Sequence, residues 1–199
     1  MNIKTLKWYG PYKFDKNTYA EELNRKHEFS KPGVYIWTYE IKEIQYVHYI
    51  GMVKGKENIR TIKERLNDHF KELVKGNSWI YDFSCIQRLV CKMNDDKIDY
   101  FNTKEFKDYR NKSKEELGSE YFEKLNFFIC PLENDLSDIS NIEKYLISKV
   151  VVEEGLSGKV FLINSTYNNC NSAKKYFNEA TNRYVCRFPE NILVDSLNC

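Results

Sequence analysis

Arg65 and His69 stand four residues apart in the run IRTIKERLNDHF, and Tyr35 and Tyr49 stand fourteen residues apart in two aromatic runs before it. A permanently charged guanidinium and an imidazole one helical turn later share a helix face and can address one phosphate. A phenol beside such a cation loses or shares its proton more readily, which gives a weak base a route to activating water. Glu143 offers a carboxylate able to hold a magnesium ion that keeps most of its waters. Phosphodiester hydrolysis asks for these parts: an activated water, a cation against the charge developing on the phosphate, and help for the departing oxygen.

The elements that must position these groups are visible in the pattern. GVYIWTY and QYVHYIG are dense in β-branched and aromatic residues and are bounded by Pro32-Gly33 and Gly51, which predicts a strand hairpin over about 33–51. Its register decides whether Tyr35 and Tyr49 share a face. The loop MVKGKEN follows, then a helix over about 57–75 with Ile59, Ile62, Leu66, Phe70 and Leu73 on one stripe and Gly76 as its C-cap. LNFFICPL predicts a third strand stopped by Pro131. LSDISNIEKYLISKVV predicts an amphipathic helix with Ile139, Ile142, Leu146 and Val150 inward and Ser137, Asp138 or Ser140 as N-cap. Glu143 falls at the edge of that buried stripe. WYGPYKF and TYAEELNRKHEF predict a Gly-Pro turn and a short helix, an N-terminal wrap over the core. Residues 79–124 read as an insertion with one or two helices, and GKVFLIN and NRYVCRF as further strands.

Every one of these residues also has a structural use. Among 15 tyrosines, two on strands are ordinary core residues. Ser140 and Glu143 have the Ser-x-x-Glu spacing of a capping box. Arg65 and His69, beside Glu64 and Asp68, would serve as a solvated helix face. The structural uses must all hold independently, whereas one site accounts for all five residues on elements of fixed order.

Composition narrows the class. A chain of 199 residues with 42% apolar and 15% aromatic residues has a real core, and no run approaches the roughly 18 to 20 apolar residues that span a bilayer. MNIKTLKWYG lacks a signal-peptide stretch, so a soluble, cytoplasmic protein is expected. The six cysteines include no CxxC pair and only three histidines accompany them, which argues against zinc and for packed thiols. Net charge is only +2, but from Lys54 to Lys75 seven basic residues face four acidic ones, compatible with a phosphate-facing surface.

The order of hairpin, helix, strand and helix, with Gly33-Val34-Tyr35, Tyr49-Ile50-Gly51, Arg65, His69 and Glu143 in it, resembles the GIY-YIG nuclease family over about residues 31–165. The resemblance implies Tyr35 as general base, Tyr49 as the tyrosine that positions water, Arg65 as phosphate clamp, His69 as its partner, and Glu143 as the sole protein ligand of Mg2+ or Mn2+. It implies a terminal asparagine of the site, Asn164 after GKVFLIN, with Asn168 as its rival. Gly33 and Gly51 would give close approach and turn freedom. The implied reaction is direct attack of water leaving a 5′-phosphate. The hairpin and following loop are longer than usual in that family. Met52 stands where a basic residue is common, leaving Lys54, Lys56, Arg60 and Lys63 as the nucleic-acid-binding candidates, with Arg60 also a rival to Arg65.

The expected architecture is an α/β, GIY-YIG-like sandwich with a small central antiparallel sheet flanked by helices. It divides into an N-terminal extension (1–30), a nuclease core (31–165) carrying the insertion, and a C-terminal extension (166–199). The expected activity is a metal-dependent DNA endonuclease, with a homodimer as one route to double-strand cutting. Its rivals are a catalytically silent nucleic-acid-binding or assembly module of the same fold, and a ribonuclease or structure-specific nuclease.

Overall fold

Residues 34–39 and 125–130 are buried without a break, which places both segments at the centre of a sheet covered on each face. The computed structural model describes residues 4–41, 44–53, 60–75, 104, 108, 111–132, 139–147, 174–180, 185–186 and 191–194. In chain order these give β1 (Lys4–Tyr12), α1 (Tyr19–Arg25), a 3-10 turn (His27–Ser30), β2 (Gly33–Ile41), β3 (Ile44–Val53), α2 (Ile62–Val74), α3 (Lys114–Glu123), β4 (Leu125–Pro131), α4 (139–147), β5 (Lys174–Ala180), β6 (Val185–Cys186) and β7 (Asn191–Val194). The class is mixed α/β.

The antiparallel centre runs β3-β2-β4-β1, and the described sheet is wider than the small one expected, in the order β6-β3-β2-β4-β1-β5-β7. β6 joins β3, and β5 joins β1, each in parallel. Two segments expected as extensions therefore belong to the sheet. β1 is an interior strand rather than a wrap, with Gly10-Pro11 accommodated where its register with β4 shifts between Tyr9 and Tyr12. KKYFNEA, not anticipated as a strand, is β5, and NRYVCRF contains β6, its other residues lying outside the described ones.

Alternation along β2 divides the core. Tyr35, Trp37 and Tyr39 face α1, α2 and α3, together with Phe127 and Ile129 of β4. Val34 and Ile36 face the other way, where Ile139, Ile142 and Leu146 of α4 cover them with Phe128 and Cys130. Burial pushes the Cys130 thiol up to about 12, which leaves it an inert packing group. α3 closes the segment expected as an insertion, and its Phe122 ring lies 4.9 Å from Phe70 of α2, so this end of the segment is part of the core. Ser113 and Glu116 form a capping box that starts it.

α2 is fixed at its start. Thr61 and Glu64 form a reciprocal capping box, which sets the first helical residue at Ile62 rather than near Glu57. The Ile62 N–H donates to the Lys31 carbonyl at 2.9 Å, tying the helix to the entrance of β2. The expected Gly76 cap, Ile59 and Val150 lie outside the described residues, as does GKVFLIN. Among the described residues no helix is long and apolar enough to cross a membrane.

Candidate active site

Pairing across the hairpin places the two tyrosines. Tyr35 opposes Gly51, and Trp37 opposes Tyr49, so Tyr35 and Tyr49 are diagonal neighbours on one face with ring centroids 6.1 Å apart. The register shifts after Trp37, because Thr38 pairs with Val47 and leaves His48 as an extra residue. That bulge lets Tyr49 face α2 while Val47 and Ile50 both face α4.

Arg65 and His69 follow on successive turns of the capped α2. The Tyr35 hydroxyl and His69 Nε2 are 3.0 Å apart and hydrogen-bonded. The Arg65 guanidinium donates to the phenol oxygens of both Tyr35 and Tyr49. Glu143 comes from α4, on the opposite side of the sheet, and its carboxylate accepts the backbone N–H of Met52. Its charge is felt at Tyr49, and that of Arg65 is felt at Glu143. The five side chains meet around Gly51 and Met52. β6 pairs with β3 only at Gln45 and Tyr46, so no described strand covers this stretch of β3. The site sits on a strand edge, with groups converging from both faces.

Electrostatics distinguish the members. Burial raises the Tyr35 phenol well above its ordinary range, and the neighbouring Tyr49 adds to this, against the opposing pull of Arg65. Proximity to a cation was expected to ease loss of this proton, but desolvation outweighs it. Burial raises Tyr49 too, again opposed by Arg65. Burial works against the charge of Arg65, yet the two phenols leave it held more firmly protonated than usual. Burial, with the charges of Arg65 and Arg60, brings His69 down to about 3, so the imidazole is neutral. Glu143 is pushed up to about 7 by burial, with Lys144, Arg65 and the Met52 N–H opposing.

The capping-box role for Glu143 does not hold. Ile139 and Ser140 are already helical, so Ser140 is inside α4 rather than at its cap, and the carboxylate turns instead to Met52. This makes Glu143 a lone half-buried carboxyl whose charge burial disfavours. No group of three or more metal-ligating side chains exists among the described residues. One hard oxygen donor of this kind suits a largely hydrated Mg2+ or Mn2+ and does not suit zinc.

Of the other candidates, Arg60 is exposed and paired with Asp68, which separates it from the phenols that Arg65 holds. Lys63 is half-buried on α2. Lys54, Lys56 and Asn164 lie outside the described residues. Two contributors were not anticipated from the sequence, the Met52 N–H and Lys144. A backbone donor leaves no residue-type signal, while Lys144 is marked only by adjacency to Glu143. Compared with protein-family models, curated proteins and solved structures, the chain finds no match.

Proposed function

We propose that this protein is a metal-dependent endonuclease of the GIY-YIG type that hydrolyses phosphodiester bonds in DNA. The observation that carries the reading is the convergence of Tyr35, Tyr49, Arg65, His69 and Glu143, from four elements and both sides of the sheet, on one stretch of strand edge. Packing alone does not require a guanidinium held between two phenols beside a half-buried carboxyl whose charge burial disfavours.

The chemistry follows from the protonation states. Tyr35 keeps its proton in the resting site and bonds to a neutral imidazole, so it acts as a relay rather than as a standing phenolate. As water attacks phosphorus, its proton passes to the Tyr35 oxygen while the Tyr35 proton passes to Nε2 of His69, in the tautomer with hydrogen on Nδ1. The new bond joins the water oxygen to phosphorus, and the bond to the 3′-oxygen breaks. The departing oxygen takes a proton from solvent, His69 releases its extra proton to solvent and returns to the neutral imidazole, and a 5′-phosphate remains. Arg65 holds a non-bridging phosphate oxygen and keeps both phenols oriented. Tyr49 lends its hydroxyl to the attacking water. Glu143 would hold a divalent cation that neutralises charge on the scissile phosphate and the departing oxygen.

The test is conversion of supercoiled plasmid, labelled single-stranded DNA and labelled RNA, with magnesium or with chelator. Magnesium-dependent nicking of the plasmid supports the reading. Cutting of RNA with DNA left whole would move the substrate class to RNA, and binding without cutting of any substrate would favour the silent module.

A further inference from the structure

The indole of Trp37 lies beneath the site. It is two residues from Tyr35 along β2 and opposite Tyr49 across the hairpin. Its ring centroid is 5.0 Å from Tyr49, 6.5 Å from Tyr35, and 5.2 Å from His69 with the two planes at 90°. Phe127, at 5.5 Å, packs behind it. The side chain is fully buried, and among the described residues its Nε1 has no hydrogen-bond partner. An orphaned buried donor is destabilising, because it gives up its hydrogen bond to water and gains none. Phenylalanine or leucine would fill a sheet position of this kind without that cost, so stability does not account for an indole here.

We propose that Trp37 is a positioning residue, the floor that fixes the plane of the His69 imidazole so that Nε2 stays on the Tyr35 hydroxyl. Its catalytic consequence rests on the nuclease reading above. Its geometric content does not. α2 supplies His69 from a helix and β2 supplies Tyr35 from the sheet, so their 3.0 Å contact crosses two layers and depends on what fills the space under the ring. An indole is long enough to lie under Tyr49 and still meet the imidazole, whereas a smaller ring leaves the imidazole room to turn about its own bond. The same ring supports Tyr49, so the two groups on either side of Tyr35 share one base.

The test compares the full-length wild type with Trp37→Phe and Trp37→Leu by nitrogen NMR of labelled histidine. The chain has only three histidines, His27, His48 and His69, so the signals are few enough to assign. The wild type is expected to show one His69 tautomer with Nε2 hydrogen-bonded. Trp37→Leu is expected to show averaged nitrogen shifts from a turning ring, and Trp37→Phe an intermediate pattern. Should Trp37→Leu not fold, Trp37→Phe decides on the same signals. Unchanged His69 signals in a folded variant would overturn the proposal. In cleavage, kcat is expected to fall up to about 100-fold with KM little changed, and partial recovery with phenylalanine. If the wild type cuts no substrate, the nuclease reading fails while the NMR result still decides the role of Trp37.

Discussion

Tyr35 and Gly51 face each other across the hairpin, and the Tyr35 ring occupies the space that a side chain on Gly51 would need. A β-carbon at Gly51 would overlap Cζ and the hydroxyl of Tyr35. The missing side chain lets the phenol lean over β3 towards the strand edge, where Arg65 and His69 meet it. Gly51→Ala is therefore expected to push the hydroxyl away from His69. Overpacking should lower stability by about 1–3 kcal/mol, and cleavage should fall by at least about 100-fold with DNA binding retained. Denaturation and single-turnover cleavage of the same preparation check this.

Glu143 and His69 give the metal-free protein opposing pH dependences. The native carboxyl titrates near 7 instead of 4.5, so the folded state binds the extra proton and stability falls as pH rises from 4.5 to 7, by up to ~3 kcal/mol. The imidazole titrates near 3 instead of 6.5, so the unfolded state binds the extra proton and stability rises with pH from 3 to 6.5. Glu143→Gln should leave only the rising dependence, and His69→Gln only the falling one. Magnesium should raise the Tm of the wild type more at pH 8 than at pH 5, and should not raise that of Glu143→Gln. Urea titrations across pH, with and without magnesium, read all of these.

Arg65 bridges two phenol oxygens, which a planar fork can do and a single ammonium cannot. Arg65→Lys should therefore retain most of the fold stability yet lose about 100- to 1,000-fold in kcat/KM, close to the loss in Arg65→Ala. A lysine variant with near wild-type kcat/KM would show that charge alone suffices.

Arg60 is paired with Asp68 on the exposed face of α2, so its charge is partly spent. Asp68→Asn should free it, tighten DNA binding a few-fold at low salt, and steepen the salt dependence by up to about one counterion. Lys63→Ala should act in the opposite sense by about one. Binding isotherms from low to moderate salt measure both slopes.

What could be read from sequence depended on how local its cause was. The hairpin, α2, β4 and α4 announce themselves through alternation, helical spacing and caps, and they carry Tyr35, Tyr49, Arg65, His69 and Glu143 in order along the chain. β1 was obscured because Gly10-Pro11 looks like a turn, whereas pairing with β4 over a hundred residues away accommodates it. β5 was missed for a similar reason, since KKYFNEA has little strand character of its own and is paired to β1 and β7. The His48 bulge, which decides the face of Tyr49, depends on the pairing register. The role of Gly51 was visible as close approach, but the approaching group, the Tyr35 ring, was not. Residue type also misled at Tyr35: a cation beside a phenol suggests easier ionisation, and the depth of burial that reverses it appears only when α2 packs on the sheet.

If the five converged side chains form one hydrolytic site, removing any one of three of them should stop cleavage without unfolding the protein. Tyr35→Phe, Arg65→Ala and Glu143→Gln, each confirmed as folded, should be compared with wild type on a labelled DNA duplex and on supercoiled plasmid with magnesium, under single-turnover conditions. Metal-dependent cutting is expected of the wild type, and at least about 1,000-fold slower cutting of each variant, with DNA binding retained. Cutting by any of the three at the wild-type rate, or a wild type that binds DNA and leaves it intact with both magnesium and manganese, would contradict it.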